Sequence, residues 1–277
     1  AAFCGVVGMK PSSGLISRAG VQLFSKTLDH VGVFARSVAD VAMLGCCLSG
    51  FDEGDGAGLD SPQAICHPQL GIPPLDAPPR LALVRTPVWH LASPEQQENL
   101  LSVAEKLRAA GATVDEVALP PEFDAAHQLH RTIMFGEGAR ALRGLQREHR
   151  AQLSDRINAL IDEGLAMPDE ALCHALGERL QVSRALHPIL REYHALITPP
   201  ATGEAPATLE HTGDPAFCTI WTLTGVPAIS IPSGFGPNGL PLGVQIIGPY
   251  LKDDKLVAVA QWCEQQIGLG PLIAPLG

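Results

Sequence analysis

No apolar run among the 277 residues approaches the length needed to span a bilayer. No excess of basic residues is present either. Lys and Arg number 19 against 29 Asp and Glu, a net charge of −10, which argues against nonspecific nucleic-acid binding. The chain has no C-x-x-C pair, and its seven cysteines are an odd number with two of them adjacent, Cys46-Cys47. That pattern argues against a disulfide framework and fits a reducing cytoplasm best. Self-contained catalytic signatures are missing too: there is no G-x-S-x-G elbow, no H-E-x-x-H and no phosphate loop. No metal or cofactor is therefore expected.

What remains is a globular composition, with 46% hydrophobic and 17% charged residues. The length suits one or two domains with a sizeable core. The first forty residues are distinctive. Glycines at 5, 8, 14, 20 and 32 sit among small apolar residues, so this tract reads as tightly packed irregular backbone. Asp29 is the only acid before Asp40, among Lys10, Arg18, Lys26 and Arg36. A lone acid in such a wall suggests anchoring near a polar site; a capped turn is the competing reading.

Further along, Ser37 caps a helix to Leu48, stopped near Gly50. Residues 51–79 are rich in Gly, Pro and Asp and read as loop; the acidic run from Asp52 to Asp60 lacks EF-hand spacing and reads as a solvated connector. A strand at 80–84, a helix opened by Ser93-Pro94 and closed by Gly111, and a strand at 113–119 form a βαβ unit with a parallel pair. Residues 122–193 are mostly helical, with breaks expected at Gly144, Gly164 and Pro168. His127 and His130 could share a helix face, but no third ligand stands at matching spacing. Ala195 to Thr198 is a strand ending at Pro199-Pro200, and Asp214-Pro215 opens a helix containing Phe217, Ile220 and Trp221. Strands at 228–232 and 242–248 form a hairpin around Gly236-Pro237-Asn238-Gly239. The last helix covers about 253–266. Cys4, Ser12 and Ser13 carry no base nearby in sequence and are poor nucleophile candidates.

Several ordered blocks carry a resemblance. They are Ala2-Phe3-Cys4-Gly5-Val6-Val7-Gly8-Met9-Lys10-Pro11, then Thr27-Leu28-Asp29, then Arg36-Ser37-Val38-Ala39-Asp40. The tail adds Thr198-Pro199-Pro200, Thr222-Leu223-Thr224-Gly225-Val226-Pro227-Ala228 and Gly239-Leu240-Pro241-Leu242-Gly243-Val244-Gln245. Together these resemble the amidase signature family, in the part just after its nucleophilic serine.

The resemblance implies an α/β fold: a mixed, largely parallel central sheet flanked by helices, an α/β/α sandwich incomplete at the N-terminus. Residues 1–277 would be the C-terminal part of a single amidase-type domain, with 52–190 a helical, variable middle region. It implies hydrolysis of a carboxylic amide to acid plus ammonia or amine, through a Ser–cis-Ser–Lys set lying upstream of Ala1. The chain alone would then be inactive, as a clipped or truncated larger protein. Its partners would be a small-molecule amide and the missing N-terminal segment, with self-association through the apolar face left open. Phe217, Trp221 and Thr222 are the substrate-pocket candidates, although Phe217 and Trp221 at i and i+4 also suit plain core. Thr27 and Asp29 are the site-scaffold candidates. The alternatives are a small-molecule-binding domain and a non-catalytic amidase-like subunit.

Overall fold

A computed structural model of the chain describes residues 1–55, 65, 71–270 and 272. The expected connector from Asp52 to Asp60 lies partly outside the described residues.

Among the described residues, seven strands form one open sheet in the order β2-β1-β6-β7-β5-β3-β4. They are β1 Val7–Lys10, β2 Val33–Ala35, β3 Arg80–Val84, β4 Thr113–Val117, β5 Ala195–Thr198, β6 Ala228–Phe235 and β7 Pro241–Ile247. The sheet is mixed, as expected, but the parallel share is smaller than the resemblance implied. Among the described residues only β3–β4 and β3–β5 are parallel; the other four pairs are antiparallel. The reason is connectivity. The pair β6–β7 is joined by a short turn, which can link only antiparallel neighbours, whereas β3, β4 and β5 are joined through helices.

Strand alternation sends side chains to two apolar layers, making an α/β/α sandwich. Leu81, Leu83, Ile197, Ile229, Ile231, Val244 and Ile246 face one layer. It contains α1 (Val38–Leu48), α2 (Pro94–Ala109) and α8 (Asp253–Ile267). Ala82, Val84, Leu196, Ala228 and Ile247 face the other. There lie α3 (Ala126–His149), α5 (Asp169–Ala185), α6 (His187–Glu192) and α7 (Ala216–Thr224), with α4 (Asp155–Ala166) packed on α3.

The caps explain the helix starts. Ser37 Oγ accepts from Asp40 N, Ser93 Oγ from Gln96 N and Ser154 Oγ from Ile157 N. Asp214 Oδ1 accepts from Ala216 N at 2.9 Å, so the helix opens one residue later than the Asp-Pro pair suggested. Gly225 closes α7 at φ 73°, a left-handed stop that favours glycine.

Two expectations are corrected. Gly144 breaks nothing: α3 runs through it to His149, since one exposed glycine costs a 24-residue helix only about 1 kcal/mol. The glycine-rich N-terminal tract also contains two short strands, not irregular backbone alone. Val7 pairs with Ala35 and Gly8 with Ser230, partners far away in sequence.

Candidate functional site

A cavity of about 540 Å³ opens where β1, β6 and β7 meet the start of α7 and the loop before β2. Three segments build it. The first is the loop carrying Leu28, Asp29 and His30. Arg18 holds this loop from below. Its guanidinium pairs with Asp55 at 3.2 Å and donates to the carbonyls of Lys26 at 2.7 Å and Asp29 at 3.2 Å. Glu137 on α3 holds it from the side, accepting from Thr27 N at 2.9 Å, Thr27 Oγ1 at 2.6 Å and the Ser25 hydroxyl. The neighbouring Gly138 lets the tip of the Phe24 ring approach α3, since a Cβ there would sit 2.3 Å from the ring.

The second segment is α7, which presents Cys218, Trp221 and Thr222. Gln245 of β7 fixes its start by donating to the carbonyls of Pro199 at 3.3 Å and Phe217 at 3.1 Å. That contact also sets Pro200, at the end of β5, into the cavity wall. The third segment is β1 with its neighbour β6, which supply Met9, Lys10 and Ser230.

Trp221, Thr222 and Asp29 thus line one cavity. Phe217 and Thr27 are not among the lining residues: Phe217 and Trp221 are both core, 1% and 0% exposed, and Thr27 is bonded to Glu137. The Asp29 carboxylate accepts from Phe24 N at 2.6 Å and Ser25 N at 3.1 Å, so it caps a turn as well as facing the cavity. Sequence reasoning passed over His30, Lys10 and Ser230. Lys10 lies inside a block that carried the resemblance and His30 directly follows one, while Ser230 sits in a strand with no local signal.

The charged side chains of the cavity wall are Lys10 and Asp29. Lys10 Nζ donates to Val226 O at 2.6 Å and Pro11 O at 3.1 Å. Burial lowers its pKa to about 8, against the pull of nearby Asp253. His30 lies with Nδ1 2.6 Å from Leu28 O, and a carbonyl only accepts, so Nδ1 carries the proton. Burial, reinforced by Lys10, lowers the His30 pKa to about 3, so the ring is neutral at ordinary pH.

Six buried side-chain atoms among the described residues have no hydrogen-bond partner. Three belong to residues lining this cavity: His30 Nε2, Trp221 Nε1 and Ser230 Oγ. The three sit on the loop before β2, on α7 and on β6, and each of these atoms is buried. Among the described residues, the wall holds no activated nucleophile of its own. Ser230 and His30 do not bond one another, the Cys218 thiol lies 3.5 Å from Pro200 O, and Lys10 is occupied by carbonyls.

Other candidates fall away. Ser12 Oγ donates to Asp253 at 2.5 Å and accepts from Leu251 N at 2.8 Å, joining the turn after β1 to the start of α8. His127 Nε2 donates to Ala216 O at 2.9 Å, which docks α3 on α7. Among the described residues, no group of three His, Cys, Asp or Glu side chains is placed to hold a metal. None of the described helices is long and apolar enough to cross a membrane.

The family model for amidases matches residues 1–257. The chain belongs to the amidase family. The glutamyl-tRNA(Gln) amidotransferase A subunit of Lysinibacillus sphaericus is 32% identical over 300 residues, covering 96% of this chain and 60% of its own length. The protein of the same name from Deinococcus deserti is 31% identical, covering 100% of this chain and 63% of its own length. Among solved structures, an amidase superimposes with a TM-score of 0.81 at 26% identity, over 97% of this chain and 60% of that one. A 6-aminohexanoate cyclic dimer hydrolase complexed with substrate gives 0.80 at 25% identity, over 97% and 62%. This amidase-family chain therefore spans about 60% of the length of the curated relatives it matches.

Proposed function

We propose that the chain is the substrate-holding part of an amidase that hydrolyses a carboxylic amide to an acid plus ammonia or an amine. The bond-breaking groups are the family's serine nucleophile, bridging cis-serine and lysine base. They belong to the sequence that the relatives have and these 277 residues do not. The cavity beside Trp221 and Thr222 receives the substrate, and Asp29 and Thr27 hold its floor in place. The open end of the sheet, at β2 and α1, is the face on which the additional sequence packs. The reading also puts the protein in a reducing cytoplasm, supported by six described cysteines of which none forms a disulfide.

One observation carries the proposal. A cavity in a chain matched to the amidase family along most of its length is lined, among the described residues, without an activated nucleophile. A serine attacking the amide carbonyl needs a base and preorganised N–H donors, which the adjoining segment would bring.

The test is amide turnover by two proteins. One is the 277-residue chain; the other is the same chain fused to the preceding segment of an amidase relative. Ammonia release is expected from the fusion only, and replacing the serine of the added Gly-Gly-Ser by alanine should abolish it. Turnover by the chain alone, lost in Cys4→Ala or Ser13→Ala, would overturn the proposal. So would a folded fusion that releases nothing from any amide.

A further inference from the structure

We infer that Glu137 of α3 is a positioning residue for the cavity: its carboxylate holds the turn at 24–30 in the shape that presents Leu28, Asp29 and His30 to the substrate. Resting on the reading of the cavity as a substrate site, this assigns a determinant of substrate binding that lies outside the lining residues.

Both oxygens of Glu137 are engaged. Oε1 accepts from Thr27 Oγ1 at 2.6 Å, while Oε2 accepts from Thr27 N at 2.9 Å and from the Ser25 hydroxyl. The Ser25 hydroxyl in turn accepts from Leu28 N at 3.1 Å. One carboxylate thus reaches the backbone of a lining residue through a single hydroxyl. Hydrogen bonds to a carboxylate are among the stronger ones, and a backbone N–H left without its acceptor is costly.

Within the turn, Asp29 Oδ2 accepts from Phe24 N and Ser25 N, and Asp29 N donates to Ser25 O at 3.0 Å. These bonds close the turn on itself without fixing it to the helices. Arg18 holds the carbonyls of Lys26 and Asp29, and its own partner is Asp55, so that tie stays within the N-terminal tract. Glu137 supplies the tie to the helical layer. Among the described residues, no other side chain beyond residue 55 makes a hydrogen bond to residues 24–30. Gly138, the next residue of α3, meets the Phe24 ring, so helix and turn touch at two successive positions.

Leu28, Asp29 and His30 belong to the wall, and the bond-breaking groups of the proposed reaction lie elsewhere. A displaced turn therefore weakens the hold on substrate and transition state alike, which raises KM and leaves kcat. A purely structural contact behaves differently. Its loss lowers the folded fraction, which scales the rate at every substrate concentration and leaves KM.

The experiment uses the 277-residue chain fused to the preceding segment of an amidase relative. The probe is whichever of benzamide, hexanamide and L-glutamine the unaltered fusion hydrolyses fastest. Glu137→Ala is expected to raise KM about tenfold, the effect of one lost buried hydrogen-bond partner, and to change kcat by less than about twofold. Glu137→Gln keeps one acceptor oxygen and should fall between Glu137→Ala and the wild type. Leu196→Ala, a core change outside the lining, should lose stability and keep KM. In the 277-residue chain itself, hydrogen exchange at the Thr27, Leu28 and Asp29 N–H groups should speed at least about tenfold in Glu137→Ala, with that of Ile197 in the sheet unchanged.

A fall in kcat with KM unmoved, or exchange that quickens equally at Ile197, would overturn the inference. If Glu137→Ala does not fold, Glu137→Gln decides it on the same two readouts. The two readings fail separately. A folded wild-type fusion without turnover sinks the hydrolase reading and leaves hydrogen exchange to decide this one, whereas an active fusion whose KM ignores Glu137 sinks this one alone.

Discussion

The two ends of the sheet are built differently. At one end, β5, β3 and β4 carry helices on both faces, and Leu81, Ala82, Leu83, Val84, Leu196 and Ile197 are all buried. At the other, the three-residue edge strand β2 leaves Phe34 exposed. Beside it α1 turns Met43, Leu44 and Leu48 outward, with Phe51 exposed beyond its end. At the first end β3 and β5 have apolar cover above and below, and the edge strand β4 buries Val114 while turning Thr113 and Glu116 to solvent. The second has more apolar surface than its own elements can bury, and the cavity opens next to it. An element finished by its own neighbours does structural work, and one left unfinished points to what it meets.

The largest expected effect breaks the finished end. Leu196 is fully buried between Ala82 of β3 and Ile247 of β7. Leu196→Ala should cost about 2–5 kcal/mol of stability, read from urea unfolding. A loss below about 1 kcal/mol would mean that this end is looser than its burial indicates.

That end was also the more legible in sequence. The βαβ unit over 80–117 announces itself locally, with an apolar run, a Ser-Pro helix start and a glycine stop, so each boundary is written within a few residues. The N-terminal tract hides its strands for the opposite reason. β1 and β2 are four and three residues long, too short to show alternation, and each exists only by pairing with distant chain. The resemblance put forward Asp29, Trp221 and Thr222, which the fold brings to one cavity. Phe217 and Trp221 both followed the plain helical-core reading, at 1% and 0% exposure. His30 could not be found by periodicity, since what singles it out is a ring nitrogen fixed by Leu28 O and a burial that only the folded chain creates.

The second prediction concerns the linkage between that ring and folding. The folded pKa of His30 is about 3, below the unfolded 6.5, so between these values the unfolded chain binds the extra proton. Its contribution to stability is fully present above pH 6.5 and is lost as pH falls towards 3. A tenfold change in proton affinity corresponds to about 1.4 kcal/mol, so the window is worth a few kcal/mol. His30→Gln keeps an acceptor and cannot titrate. Its urea midpoint should fall less than the wild type's between pH 7 and 4, while the carboxylates common to both cancel in the difference. Parallel curves would show that the ring is solvated and the cavity more open than its burial implies.

The smallest effect on stability sharpens the comparison most. Leu44 and Met43 are 44% and 63% exposed on the outer face of α1, so serine there removes little buried area. Leu44→Ser and Met43→Ser should change the unfolding free energy by no more than about 0.5 kcal/mol. If the open end is a docking face, the same changes should reduce self-association of the 277-residue chain in sedimentation. They should also weaken assembly with an added N-terminal amidase segment. A stability loss as large as that of Leu196→Ala would show that α1 is covered within this chain. Unaltered association with unaltered stability would leave the apolar face an ordinary surface. The two ends would then differ in composition and not in role.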